Sequence, residues 1–110
     1  MMTMSFASLA YENKKKKTRL DKFLEEMDKV IPWEELLQDI KEYYPKAGNG
    51  RQPIPLAKML RIYFMQQWYG LSDPAMEDAL YDIESLRRFA DIDIEADVIP
   101  DETTILNFRH

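Results

Sequence analysis

Lys14, Lys15, Lys16, Lys17 and Arg19 put five cations into six consecutive residues. A second set, Lys46, Arg51, Lys58 and Arg61, lies in a span, 46–69, that contains no acid. Lysine and arginine at this density neutralise phosphate oxygens and release counterions, so both sets read as nucleic-acid contacts. A basic arm of this kind lies along phosphates or enters a minor groove with little sequence preference, and the same lysine run fits a solvated tail equally well. Arg87, Arg88 and Arg109 are further candidates for phosphate contact.

Carboxylates offer a second chemistry. Asp91, Asp93, Glu95, Asp97 and Glu102 fall at positions 1, 3, 5, 7 and 12 of a calcium loop. Ala96 stands where the sharp turn requires glycine, and Pro100 stiffens the second half, so the segment reads instead as a surface loop kept soluble by its acids, with Ile92, Ile94, Val98 and Ile99 turned inward. The one histidine is His110, cysteine is absent, and no serine or threonine has a paired base. No catalytic set, metal site or cofactor is expected of this chain.

At 110 residues, with 45% apolar and 12% aromatic content, the sequence suits one domain with its own core. The net charge of −5 has the wrong sign for a simple nucleic-acid binder. Its distribution is uneven, however. Acids concentrate in 21–42 and 73–102, away from both basic sets, which allows one basic and one acidic face. No apolar run approaches the ~20 residues that cross a bilayer, and no positive segment precedes the few apolar residues at 1–10, so the expected location is the cytoplasm.

The pattern divides the chain into a flexible basic arm, 1–17, and an all-α domain, 18–110, of about five or six short helices. Thr18 is placed to cap a first helix whose buried stripe is Leu20, Phe23, Leu24 and Met27. Pro32 opens a second, with Trp33, Leu36, Leu37, Ile40, Tyr43 and Tyr44 inward, ending before Pro45. Gly48, Asn49 and Gly50, followed by Pro53 and Pro55, form an elbow. The helix over 55–69 is apolar nearly all round and so is predicted to be central, with Lys58 and Arg61 as its clearest requests for water or an anion. Gly70 stops it, Ser72 or Asp73 caps the next helix, Ser85 caps a short one over 86–90, and Asp101 caps the last. Trp33, Trp68 and the tyrosines read as core residues at helical spacing.

Helix, glycine turn and helix over 55–82 have a helix-turn-helix outline, which by itself is weak evidence for DNA binding. The second of these helices carries Asp73, Glu77, Asp78 and Asp82 and would meet phosphates badly. Taken together, the lysine arm with Thr18-Arg19 and Phe23-Leu24, the segment MDKVIPW over 27–33, the elbow, the helix over 55–69 and the closing TTILNFRH over 103–110 resemble the N-terminal helical domain of the insertion-sequence-five family of bacterial DDE transposases. Gly70 departs from the family pattern, where asparagine is expected; both suit a helix C-cap.

That resemblance implies a DNA-binding domain recognising the terminal inverted repeats of its element. It also implies a catalytic triad, with divalent metal such as magnesium, on a separate domain beyond this sequence. The chain alone is therefore not expected to act as an enzyme. The alternative reading is an interaction module that packs on the catalytic domain or another transposase subunit and inhibits when produced alone.

Overall fold

Helix ends in this chain are set by proline, glycine and small polar residues. The computed structural model describes residues 16–45 and 53–110. Among the described residues there are six α-helices, one 3-10 turn and no strand. They are α1 (Arg19–Val30), α2 (Trp33–Ile40), the 3-10 turn (Lys41–Tyr43), α3 (Leu56–Tyr69), α4 (Asp73–Asp82), α5 (Glu84–Phe89) and α6 (Glu102–Arg109). The elbow at 46–52 and most of the basic arm lie outside the described residues.

Three helices begin on the predicted caps. The Thr18 hydroxyl accepts the Asp21 amide at 3.1 Å while the Asp21 carboxylate accepts the Thr18 amide at 3.0 Å, so two orphan amides of α1 are satisfied reciprocally. Ser72 Oγ accepts from the Ala75 amide, and Asp101 Oδ1 from the Thr104 amide. α3 ends on Gly70 at φ 60°, ψ 38°, the left-handed conformation that glycine enters without strain, and the Gly70 and Leu71 amides both reach the Gln66 carbonyl.

Two expectations at helix ends are corrected. Ser85 does not cap α5, which starts one residue before it at Glu84, with Ile83 in the cap position and no side-chain cap; the Ser85 hydroxyl is buried and donates to Asp21 Oδ1 instead. The second helix does not run regularly to Tyr44. It stops at Ile40 and tightens into the 3-10 turn, and the Tyr44 hydroxyl donates to the Ile54 carbonyl.

As predicted, α3 is central. It contributes Met59, Leu60, Ile62 and Met65 to the buried set, and α2, α4 and α6 all pack on it. Met76 and Leu80 from α4, Leu86 and Phe89 from α5, Ile105 from α6 and Leu24 from α1 close the core. Each such fully buried side chain contributes about 1.5–3 kcal/mol over its exposed state. α2 is shallower and has no fully buried residue; Trp33 leans edge-on against Phe64 and Phe89.

Between α5 and α6 the loop turns at Asp91, a non-glycine residue at φ 59°. Only half of its expected apolar set points inward: Ile92 and Ile99 are buried, with Pro100 beside them, whereas Ile94 and Val98 face solvent. Phe23 also departs from its expected place. It retains 37% of its surface because it sits on the outer flank of the α1 stripe.

Candidate nucleic-acid interface

The cap of α1 decides which charges its leading edge displays. Asp21 is 1% exposed, and its carboxylate is consumed inside the fold by Thr18, Ser85 and Arg88. Lys16, Lys17, Arg19 and Lys22 are exposed, so over residues 16–22 every charged side chain that reaches solvent is a cation. Lys17 pairs with Glu25 at 2.9 Å, the first acid downstream on the surface. Lys14 and Lys15 fall outside the described residues. Lys22 escapes sequence reasoning because it follows an acid; helical geometry puts it and Asp21 on different faces.

Lys58 and Arg61 stand elsewhere and are engaged. Arg61 pairs with Asp28 at 2.6 Å, donates to the Phe89 carbonyl at 3.1 Å, and lies over the Trp33 ring at 4.3 Å and the Phe89 ring at 5.0 Å. Such a guanidinium combines charge, hydrogen bonding and cation–π attraction in one joint between α1, α2, α3 and α5. Lys58 Nζ meets Asp97 Oδ2 at 3.1 Å, and Asp97 Oδ2 also accepts the Asp93 amide at 2.9 Å. The Asp93 N–H, and after it Lys58, hold the Asp97 carboxyl below its ordinary value against the opposing effect of burial.

The remaining cation candidates are also tied to the fold. Arg87 donates to the Leu80 and Tyr81 carbonyls at the end of α4. Arg88 lies 2.6 Å from Asp21 and 3.6 Å from Glu84. Arg109 reaches Asp73 at 2.7 Å, and Asp73 also accepts from Gln66, the larger influence in lowering its carboxyl pKa.

Phe23 packs edge-on against Trp68 and Tyr69, while Asp28 reaches Arg61. α1 therefore runs antiparallel to α3. Arg19 and Asp28 are separated by about 14 Å along the helix, so the leading edge of α1 and the α3 cations do not form one cluster. Lys46 and Arg51 lie outside the described residues.

On α4, Asp78 and Asp82 are exposed, and Glu77 accepts the Glu102 amide at 2.7 Å. Between the end of α2 and α6 lies a mostly apolar groove of about 660 Å³, walled by Ile40, Tyr44, Leu56, Tyr63 and Phe108 among others. Among the described residues no three His, Cys, Asp or Glu side chains are placed to hold a metal ion. Within the calcium-loop imitation, Asp97 meets Lys58 and the Asp93 amide, and Asp93 Oδ1 accepts the Glu95 amide. No helix among the described residues is long and apolar enough to cross a membrane.

The described residues thus form an all-helical module with a cationic leading edge on α1. The chain belongs to the family described as Transposase domain (DUF772), whose model matches residues 12–110. No solved structure matches it.

Proposed function

We propose that this transposase domain binds DNA, recognising the terminal inverted repeats of an insertion-sequence-five-type element for a DDE catalytic domain that supplies the metal chemistry. The observation that carries this reading is the leading edge of α1, where burial of Asp21 leaves Lys16, Lys17, Arg19 and Lys22 as the charges on display, continuing the lysine run from Lys14 and Lys15. Phosphate attraction is electrostatic and short-ranged at physiological salt, so local sign outweighs the net charge of −5. Lys58 and Arg61 enter this reading as cations that hold α3 to its neighbours, and Lys46 and Arg51 as additional phosphate contacts from the elbow.

The test is a salt-dependent binding titration against element-end duplex and unrelated duplex. Removing one phosphate-neutralising cation lowers the slope of log affinity against log salt by about 0.9. Replacing Lys16, Lys17, Arg19 and Lys22 with alanine should weaken binding and flatten that slope. Neutralising Glu34 and Glu35 on α2 should do neither. Equal effects from the two sets would mean that only overall charge is being measured. Absence of binding at low salt would favour the second reading, a module that packs on the catalytic domain or another transposase subunit, for which the open apolar groove beside α6 is the favouring observation.

A further inference from the structure

Large aromatic rings are ordinarily drawn into the core, yet Phe23 and Tyr69 keep 37% and 41% of their surfaces in solvent. They stand together. Their centroids are 6.0 Å apart with the ring planes at 71°, and Trp68 backs Phe23 at 5.3 Å, so the pair is held in place from beneath. Gly70 follows Tyr69 and ends the helix, and a side chain built at Gly70 would meet nothing within 4 Å. Arg19 precedes Phe23 by one helical turn on the same outer flank of α1, within the edge where every displayed charge is positive. Glu26, exposed on that flank, marks where the cationic track ends.

We propose that Phe23 and Tyr69 form a stacking platform for unpaired bases of single-stranded DNA, with Arg19, Lys16 and Lys17 holding the phosphates. The proposal rests on the DNA-binding reading above and adds a strand type to it. In a duplex both faces of each base are already covered by neighbouring bases, so exposed rings gain little from paired DNA. An unpaired base brings a free face, and stacking on an aromatic side chain is worth a substantial part of single-strand affinity while tolerating any sequence. Charge separates this occupant from a protein partner: on the side leading into Phe23 the exposed charges are Lys16, Lys17, Arg19 and Lys22, which draw a polyanion, while Asp21 is buried, Glu25 is paired with Lys17 and Glu26 bounds the far side.

The experiment uses the full chain and two labelled ligands, an oligothymidylate of about 15 nucleotides and a duplex of the same length, followed by fluorescence anisotropy. Phe23→Leu with Tyr69→Leu keeps apolar bulk while removing the ring faces, and its melting curve reports whether the fold survives. The expected result is single-strand affinity lower by about 5- to 150-fold, duplex affinity changed by no more than about twofold, and an unchanged salt slope. Arg19→Ala should weaken both ligands and flatten both slopes. In the native protein the Phe23 ring resonances should shift upfield on adding oligothymidylate, a readout that needs no variant. Unchanged single-strand affinity in the leucine variant, equal losses on both ligands, or no ring shift would overturn the platform. Native protein that binds duplex but not oligothymidylate overturns the platform and leaves the DNA-binding reading standing; native protein that binds neither overturns both.

Discussion

Replacing Asp21 with alanine tests the joint on which the leading edge of α1 depends. The Asp21 side chain is fully enclosed, its Oδ1 accepts from Ser85 at 2.5 Å and from Arg88 at 2.6 Å, and the Arg88 side chain is only 13% exposed. Removing the carboxylate takes from Arg88 its nearest anionic partner and takes away one half of the α1 capping box. Breaking one side of a buried pair costs about 3–5 kcal/mol, because the partner stays desolvated. A domain of this size has roughly 5–15 kcal/mol in total, so about a fifth or more of its stability is at stake. In a urea titration read by far-UV circular dichroism and by Trp33 and Trp68 fluorescence, the midpoint should fall by at least about 1 M with the slope unchanged. Glu84→Ala is the matched control. It removes the other acid near Arg88, but that contact is 3.6 Å long and Glu84 is exposed, so the loss should be about 0.5 kcal/mol or less. Asp21→Ala combined with Arg88→Met should recover much of the loss, since the stranded charge goes with its partner. If Asp21→Ala costs no more than Glu84→Ala, the buried-pair reasoning is refuted.

Leu80→Ala, at a position with no exposed surface, should cost about 2–5 kcal/mol by the same titration. Gly70→Ala should lower the melting temperature because alanine resists the left-handed conformation there, and Gly70→Asn should lower it less, since asparagine tolerates that conformation; the open space around the residue removes any steric contribution. For Asp97 the folded-state pKa is depressed below its unfolded value, so its contribution is present above the unfolded carboxylate range and is lost as pH falls through the folded pKa. The Asp93 amide resonance should therefore titrate at a pH below the ordinary value of 3.8, and Asp97→Asn should abolish that titration.

The helix ends are legible in the sequence because each is written in a few adjacent residues. Thr18 with Asp21, Ser72 before Pro74, Gly70 and Asp101 each act within three or four positions, and all serve as caps or stops in the fold. The central place of α3 follows from a sequence that is apolar nearly all round the helix. Partners distant in sequence are not legible. Lys58 and Arg61 look like open cations because Asp97 and Asp28 lie 39 and 33 residues away, and nothing local announces those pairs. Ser85 looks like a cap for the same reason, since its partner Asp21 is 64 residues away. Phe23 falls within the spacing of the buried stripe, but a stripe has flanks, and only packing against Trp68 and Tyr69 sets how much of a flanking ring is covered.

The Asp21 joint also has a mechanical consequence. Many helices unwind from their first turn when the preceding chain is pulled, because nothing but local hydrogen bonds resists. Here the carboxylate that accepts the Thr18 amide is itself gripped by α5 through Ser85 and Arg88. Tension applied to the segment before Thr18 is therefore not relieved by peeling back α1 turn by turn. It is passed as shear to the contact between α1 and α5, and from there to the core, so a load on the basic segment is borne by the whole domain.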